Sequence, residues 1–312
     1  MTTVSVVVPN LNGERFLPTC LDAVRRQTRH PSEVIVVDNG STDGSLALLA
    51  SDYPEVRVVA HSTNRGVARA FNDGIRLSSG TIVVLLNNDT EAEPAWLEEL
   101  IQPLEKDPDL AMTTSKILLF DRRWILHSAG DLYRRDGMPG NRGVWQEDRG
   151  QFDHDLEPFG ACGAAAAYRR ALFDRIGLFD EMLGSYCEDV DLNWRARLAG
   201  YRCRYAPGAR VYHRLSATGG GPTASFFVGR NVIWVLAKDL PSALLQKYWP
   251  KILARQVRIA LEAARHWTEP AARARLRGQV AGLRGIGPVL ARRAEIQRRR
   301  CVSIAALDAC LT

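Results

Sequence analysis

Residues 80–89 read GTIVVLLNND, in which six apolar or β-branched residues run straight into two amides and a carboxylate. Continuous runs of this kind are typical of parallel strands that are covered on both faces. Open α/β sheets bind their ligands beyond the carboxyl ends of such strands. The stretch therefore predicts a buried strand that delivers Asp89 to the functional edge of a sheet, although an ordinary Asn/Asp turn gives the same pattern.

Strand and helix patterns alternate on either side of this stretch. Residues 4–8, 34–37 and 56–59 read as strands, and an apolar stripe at helical spacing follows each of them. A further helix is predicted to start at Pro94. Short connections and right-handed crossovers then predict a parallel, three-layer α/β sheet.

The composition is that of a globular protein. The chain has 312 residues, 46% of them hydrophobic, which suffices for one large domain and an appendage. The amino terminus enters a strand pattern at once, so we expect no secretory signal. The apolar run 226–237 is interrupted by Arg230 and Asn231, and no run approaches the roughly 20 residues that cross a bilayer. The six cysteines lack zinc spacing, so we expect a cytoplasmic protein with reduced thiols.

Positive charge is concentrated in the carboxyl-terminal part. From Lys247 onward, 14 Lys and Arg residues stand against four acidic residues, whereas the preceding part has 27 against 31. Within residues 247–261, apolar residues recur at helical spacing and basic residues line another face. Such a helix either packs on the body of the protein or binds an anionic surface peripherally, at the inner face of the cell membrane. Nothing resembles a reading helix or a base-stacking surface, so no nucleic acid is expected.

Short polar side chains follow three successive predicted strands. The first strand leads into Pro9, Asn10 and Asn12, and the second into Asp38. A carboxylate such as Asp38 can accept a hydrogen bond from a base or a ribose, although helix capping explains the following Ser, Thr and Asp equally well. Neither the dinucleotide fingerprint nor the P-loop motif is present. These strand ends favour a nucleoside-binding edge of another kind.

Six blocks of sequence, in this order, resemble the family 2 glycosyltransferases, which are inverting enzymes with a GT-A fold. The blocks are VSVVVPNLNGERFLPTCLDAVRRQT, VIVVDNGSTDGS, NRGVARAFNDGI, VVLLNND, IGLFDE and SYCEDVDLNWRARLAGYR. The resemblance implies a GT-A (Rossmann-like) three-layer sandwich with a mostly parallel sheet over residues 1–215. Its nucleotide-sugar half ends at about residue 110, and the acceptor half follows. Residues 216–312 then form a basic, mainly helical extension.

The segment with Tyr212 and His213 and the later FFVGRNVIWVLAK are most similar to rhamnosyltransferase-like enzymes of bacterial cell-surface polysaccharide synthesis. The resemblance thus implies transfer of a sugar, with rhamnose as a candidate, from a nucleoside diphosphate sugar to a glycan or a polyprenyl-linked acceptor. Two alternatives stay open. A sugar nucleotidyltransferase would carry a Gly-rich basic loop after the first strand, and a non-catalytic glycan-assembly subunit would tolerate Asn87.

The resemblance identifies Asp89 as a metal ligand. Mg²⁺ or Mn²⁺ would neutralise the departing diphosphate. The family pattern is Asp-x-Asp or a close variant, and Asn87 stands here in place of the first carboxylate, so that Asn87 or Asn88 is left to bind ribose. By resemblance His213 completes the metal site, and its imidazole would favour Mn²⁺, although a lone His is as often structural.

The acceptor hydroxyl needs a base, because an inverting transfer is a single displacement in which a carboxylate takes the proton. In the EDVD of residues 188–191, the resemblance assigns this base to Asp189, with Glu188 beside the acceptor or the metal and Asp191 as a helix cap. Crowding should raise the pKa of Glu188 or Asp189.

Arg65 occupies a place where the family contacts the nucleotide or the diphosphate. The polar segment 122–159 is either a lid or a plain loop.

Overall fold

The computed structural model describes residues 2–215 and 220–312 of the chain. The first elements are β1 (Val4–Asn10), α1 (Leu17–Arg25), β2 (Glu33–Asp38), α2 (Ser45–Asp52), β3 (Arg57–Ala60), α3 (Val67–Leu77), β4 (Ile82–Leu86), β5 (Thr90–Ala92) and α4 (Trp96–Lys106). There follow β6 (Leu110–Leu119), β7 (Arg122–Ser128), β8 (Asp131–Tyr133), β9 (Pro139–Asn141), β10 (Ala165–Arg169), α5 (Arg170–Ile176), α6 (Glu188–Leu198) and β11 (Arg202–His213). The remaining elements are helices α7 (Gly221–Lys238), α8 (Ser242–Arg265), α9 (Pro270–Arg284), α10 (Ile286–Arg298) and α11 (Ile304–Ala309).

One large sheet organises the first part of the chain. Its strands lie in the order β3-β2-β1-β4-β10-β6-β11-β5, and β7 pairs with β6. Strands β3, β2, β1 and β4 are parallel neighbours, whereas β10 runs antiparallel to both β4 and β6. Strand β11 is parallel to β6 and antiparallel to β5. The part of the sheet formed by the first four strands of the chain is therefore parallel, and the strands beyond β4 pair in both directions.

Strand β4 shows why helices cover both faces of this sheet. All five of its residues are buried. Ile82, Val84 and Leu86 pack with α1 and α4, and Val83 and Leu85 pack with α3 and α6 on the other face. Because side chains alternate along a strand, a continuous apolar strand needs cover on both sides. The predicted three-layer α/β architecture with a helical extension is confirmed.

Two of the predicted boundaries that differ from the structure flank Asp89. Strand β4 ends at Leu86 rather than running on to Asp89, since the hydroxyl of Thr90 donates to the carbonyl of Asn87 at 2.6 Å and closes a turn. Helix α4 begins at Trp96 and not at Pro94, whose carbonyl instead accepts from the Thr28 amide at 2.8 Å. Asp89 consequently lies in a turn between two strands of one sheet.

The polar segment 122–159 is tied to the sheet. The buried ammonium of Lys116 on β6 donates to Asp148 at 3.0 Å and to Asp153 at 3.1 Å. Arg142 donates to two main-chain carbonyls of the same segment at 2.9 and 2.8 Å. Since this segment also contains β7, β8 and β9, these bonds favour a fixed wall of the molecule over a lid.

The carboxyl-terminal helices pack on the outer side of α6 and on the hairpin of β8 and β9. Buried apolar residues of α7, α8 and α11 join Trp194 and Tyr133 in one core. Helices α7 and α9 can approach closely because Gly278 has no side chain. A Cβ atom at this position would lie only 2.1 Å from the carbonyl oxygen of Phe226. The extension thus shares a core with the first part, and the boundary at residue 215 stays a prediction. In both described ranges, every helix is too short or too polar to cross a membrane.

Candidate active site

A cavity of about 1050 Å³ opens beyond the carboxyl ends of β1 and β4. It brings together most of the residues predicted from the sequence. Those that line it are Pro9, Asn10, Arg65, Asn87, Asn88, Asp89, Glu188, Asp189 and His213. Asn12 and Asp38 are not part of its lining. The cavity is therefore the place where the nucleotide-binding, metal-binding and catalytic predictions meet.

Asp38 does not line the cavity but hydrogen-bonds to residues that do or that adjoin it. Its carboxylate is fully buried and accepts hydrogen bonds from the Asn10 amide at 2.8 Å and from the Ser41 hydroxyl at 2.6 Å. The Asn10 carbonyl oxygen in turn accepts from the Asn88 amide at 2.7 Å. Asp38 thus fixes the orientation of two amides at the ends of β1 and β4. A direct contact of Asp38 with a nucleoside stays a prediction.

Asn12 and Arg65 lie at the outer rim of the site. Asn12 is exposed, has a φ of 49°, and accepts from the Thr42 amide at 2.8 Å. The main-chain amide of Arg65 donates to Asn39 at 3.0 Å, whereas its side chain is exposed at the cavity. The guanidinium of Arg65 is therefore placed where it can reach an anionic ligand.

Asp89 and His213 meet because their strands are neighbours. His213 ends β11, which pairs with β5 directly after the turn that holds Asp89. The His213 Nε2 atom lies 3.1 Å from the Asp89 Oδ1 atom, and both side chains are buried. One carboxylate and one imidazole suit Mn²⁺ or Mg²⁺ when a diphosphate and water supply further oxygen ligands. No cluster of three or more His, Cys, Asp or Glu side chains with metal-binding geometry occurs in the described residues.

His127 was not predicted and contacts His213 from the other side. The two Nδ1 atoms lie 3.0 Å apart and the rings stack at 4.9 Å. Burial, and then the neighbouring His213, lower the pKa of His127 to about 3. A neutral His127 can accept a hydrogen bond from the Nδ1–H group of His213, and in that tautomer Nε2 of His213 is unprotonated and can bind a metal ion. The donor set therefore fits a cation between Asp89 and His213.

The chain reaches helix α6, which begins with Glu188 and Asp189, through a strained loop. Tyr186 and Cys187 have φ values of 66° and 64°, which are uncommon for residues other than Gly. Asn231 of α7 is fully buried, and its amide donates to the carbonyls of Leu183, Ser185 and Tyr186 at 3.0, 2.9 and 2.6 Å. Strained backbone persists where its surroundings hold it. A helix of the extension thus fixes the loop that positions Glu188 and Asp189.

Asp189 opens onto the cavity at the amino-terminal end of α6. Its two oxygens accept from the amides of Gly163 at 3.0 Å and Val190 at 2.8 Å. Loss of water around the carboxyl group raises its pKa, and these two bonds oppose the rise. A carboxylate with a raised pKa in a fixed orientation is suited to take a proton from a hydroxyl.

Glu188 carries an unsatisfied oxygen. Among the described residues, its buried Oε2 atom has no hydrogen-bond partner. Burial, followed by the charge of Asp189, raises the pKa of Glu188 from 4.5 to about 8. A buried polar atom without a partner is costly and calls for an explanation, such as a catalytic role or a bound water or ion.

Asp191 is not the helix cap that we expected. The cap position belongs to Cys187, whose side chain makes no capping bond. Asp191 is fully buried in an ion pair with Arg195 at 2.7 Å and in a second ion pair with Lys238 of α7. These two cations outweigh burial and hold the pKa of Asp191 well below its usual range. Its role is to join α6 to the extension.

Asp131 is a further carboxyl group of the cavity that sequence reasoning missed. It begins β8 and accepts from the Asn193 amide at 3.2 Å. Neither Asp131 nor His127 stands in a motif, so the sequence carries no signal for them. Asn231 had a signal, because it interrupts an apolar helical run and a buried amide must find partners.

The fold and the cavity define an α/β enzyme whose site lies beyond the carboxyl ends of its strands. The profile of the family described as "Glycosyl transferase family 2" matches residues 5–177. This chain belongs to that family and is a glycosyltransferase, as the resemblance implied.

Three relatives show the range of the similarity. A PGL/p-HBAD biosynthesis glycosyltransferase of Mycobacterium bovis is 30% identical over 267 residues, which cover 80% of this chain and 92% of that protein. An N-acetylglucosaminyl-diphospho-decaprenol L-rhamnosyltransferase of Mycobacterium tuberculosis is 27% identical over 258 residues, which cover 74% and 81%. The O-antigen biosynthesis protein RfbC of Myxococcus xanthus is 29% identical over 231 residues, 69% of this chain but 17% of RfbC.

Solved structures are similar over most of the chain. GalNAc-T7 with UDP, GalNAc and Mn²⁺ gives a TM-score of 0.60 at 19% identity and covers 76% of this chain and 48% of that chain. The mannosyltransferase PcManGT from Pyrobaculum calidifontis, with GDP-Man and Mn²⁺, gives 0.56 at 20% identity and covers 99% and 87%. At these identities the likeness concerns the fold, and it confirms the predicted GT-A type.

The substitution Glu188→Gln should stabilise the protein in a pH-dependent way. Because the pKa of Glu188 is raised from 4.5 to about 8, the folded state binds its proton more tightly than the unfolded state. The stability of the wild type therefore falls as the pH rises through this window, and the variant escapes that fall. Denaturant unfolding from pH 4 to 9 should show a gain for Glu188→Gln that grows with pH.

The exposed Glu98 provides the matched control, since Glu98→Gln should show no such trend. A difference between Glu188→Gln and the wild type that stays constant from pH 4 to 9 would contradict the raised pKa.

Proposed function

We propose that this protein is a metal-dependent, inverting glycosyltransferase of cell-envelope glycan synthesis. It transfers a sugar, with rhamnose as the first candidate, from a nucleoside diphosphate sugar to a glycan or polyprenyl-linked acceptor. The observation that carries the proposal is one cavity that is lined by Asp189, the proposed base, and by Asp89 and His213, the proposed metal-binding pair. The names of the relatives from Mycobacterium tuberculosis and Myxococcus xanthus support the choice of pathway and sugar.

In this proposal the side chains of the cavity divide the work. Asp189 takes the proton of the acceptor hydroxyl, and the amides of Gly163 and Val190 keep its carboxylate in place. Glu188 binds the acceptor through its unpartnered oxygen. Asn10, Asn88 and the exposed Arg65 hold the nucleotide, together with Pro9 and Asn87.

Asp89 and His213 would hold a divalent cation, Mg²⁺ or Mn²⁺. When bound, the ion would neutralise charge on the leaving diphosphate. The structures of GalNAc-T7 and PcManGT contain Mn²⁺, and their likeness to this chain supports the use of a divalent ion. His127 favours the same assignment, because it can accept a hydrogen bond from Nδ1 of His213 and so leave the other nitrogen of His213 for the metal.

The substitution Asp189→Asn should lower turnover by about 10²- to 10⁴-fold while donor affinity is unchanged, because the amide cannot take a proton. The donor is first identified by screening UDP-, GDP- and dTDP-sugars for metal-dependent hydrolysis. Turnover is then measured with that donor, and donor binding by titration calorimetry. The exposed Asp121→Asn is the control and should behave as the wild type. Near-normal turnover of Asp189→Asn would remove Asp189 from the mechanism.

The substitution Asp89→Ala should abolish the gain in donor affinity that Mn²⁺ gives, since it deletes the acidic ligand of the pair. His213→Ala should reduce the same gain. Calorimetric titrations of each protein with the donor, in Mn²⁺ and in a chelator, measure the effect without any turnover. Thermal unfolding of the same samples confirms that the variants are folded. An unchanged Mn²⁺-dependent affinity in Asp89→Ala would contradict the metal assignment.

Helix α8 carries the proposed contact with a membrane. Ile252 and Ile259 are buried against the body of the protein. A second apolar row, four residues apart on the helix, is exposed, and it consists of Trp249, Leu253, Val257 and Leu261. The cations of Lys251 and Arg258 are exposed beside it. Packing on the body therefore uses one face of α8, and the apolar row with its basic flank supports docking on an anionic leaflet that presents a lipid-linked acceptor.

Replacement of Trp249, Leu253 and Val257 by Ser should reduce sedimentation with liposomes that contain anionic lipid, because these side chains supply the apolar contact. Lys251→Glu with Arg258→Glu should reduce binding at low salt and change it little at high salt. Trp124→Ser is the matched control, since Trp124 is 59% exposed and Trp249 is 56% exposed. Equal sedimentation with neutral and anionic vesicles would contradict membrane docking through charge.

A further inference from the structure

Asp131 and Asn141 face each other across the hairpin of β8 and β9 and line the cavity. The carboxyl group of Asp131 is buried, with only 5% of the residue exposed. Its Oδ2 atom accepts from Asn193 at 3.2 Å, and its Oδ1 atom lies 3.4 Å from the amide nitrogen of Asn141. The second of these bonds is long and weak, so both side chains keep capacity for a ligand.

The hairpin of β8 and β9 lies beside the main chain that connects the proposed diphosphate site near Asp89 with the proposed base Asp189. The main chain of residues 162–164 connects them, because Ala164 accepts from the Asn87 amide at 2.9 Å and Gly163 donates to Asp189 at 3.0 Å. The Asn141 amide contacts the sulfur of Cys162 at 3.4 Å, in the same stretch. A sugar with its diphosphate at Asp89 and its reacting carbon before Asp189 must lie over this stretch. Asp131 and Asn141 would then adjoin the sugar ring.

The chemistry of this pair suits hydroxyl groups. Burial, and then the charges of Asp189 and Glu188, raise the pKa of Asp131 well above its usual range. An amide offers a donor and an acceptor to a sugar hydroxyl, and a carboxyl group accepts from a hydroxyl in either protonation state and also donates when it is protonated. The Oε2 atom of Glu188 in the same cavity has no hydrogen-bond partner among the described residues, which is an independent sign that a polar ligand binds there.

We propose that Asp131 and Asn141 form the subsite that recognises hydroxyl groups of the transferred sugar, an inference that rests on the function proposed above. The subsite selects among donor sugars, because a buried group built to bond a hydroxyl rejects a sugar that leaves it unpaired. Neither residue acts on the nucleotide, which is held at the ends of β1 and β4. The two residues therefore add to the affinity of the sugar and not to that of the nucleoside diphosphate.

The test compares nucleotides with and without a sugar. Titration calorimetry in Mn²⁺ measures the affinities of UDP, dTDP and GDP and of UDP-glucose, dTDP-rhamnose and GDP-mannose for the full chain. The wild type should bind at least one sugar form more tightly than its bare nucleotide. Asp131→Ala and Asn141→Ala should each lower that advantage by about tenfold and leave the bare nucleotide unchanged. Arg134→Ala, at an exposed position on the same hairpin, should change neither.

The possible results separate this inference from the function on which it rests. Three results would overturn the subsite. The gain in affinity that the sugar gives could survive in both variants, or no sugar could add affinity in the wild type. The variants could also lose equal affinity for the nucleotide sugars and the bare nucleotides. An effect confined to the KM of the acceptor would overturn the subsite as well. If Asp131→Ala does not fold, Asn141→Ala decides, since Asn141 is only half-buried. Failure of all six ligands to bind the wild type contradicts the proposed function itself.

Discussion

The buried ammonium group of Lys238 pairs with Asp191 of α6 and with Asp180, and so joins α7 to the first part of the chain. Removing one member of such a buried pair leaves an uncompensated charge, which costs roughly 3–5 kcal/mol. The same helix holds the loop before α6 through Asn231. The position of Glu188 and Asp189 therefore depends on contacts made by the carboxyl-terminal helices, although both residues belong to the first part.

The layered fold could be predicted because burial on both faces leaves a continuous apolar signature in each central strand, as in β4. The hairpin of β8 and β9 could not be predicted from the sequence. Its strands are three residues long and include Asp131, Pro139, Gly140 and Asn141, so their pairing depends on partners outside the segment and not on local propensity. The same holds for Lys116, whose bonds to Asp148 and Asp153 fix a segment that looks like a polar loop in the sequence.

The residues that line the cavity could be predicted where they stand together in motifs, and they could not be predicted where they stand alone in the sequence. Asp89, Glu188 and Asp189 follow from their blocks, and the structure places all three in one cavity. His127 and Asp131 reach the cavity from strands that the sequence does not reveal, and their partners His213 and Asn193 are 86 and 62 residues away. The prediction for Asp191 was wrong for the opposite reason. Its place in a motif at the start of a helix suggested a helix cap, whereas its ion pair with the distant Lys238 defines its role.

The electrostatics of the cavity would explain why one acidic ligand, Asp89, could suffice for the proposed metal ion. Asp89, Asp131, Glu188 and Asp189 all line it, and four ionised carboxylates would repel a diphosphate. The pKa values of Asp131, Glu188 and Asp189 are raised, so each of these groups carries less negative charge at a given pH than it would in water. The amides Asn87 and Asn88 add no charge beside Asp89. A cation held by one carboxylate and one imidazole keeps most of its charge for the diphosphate, and we infer that metal and donor enter the site together.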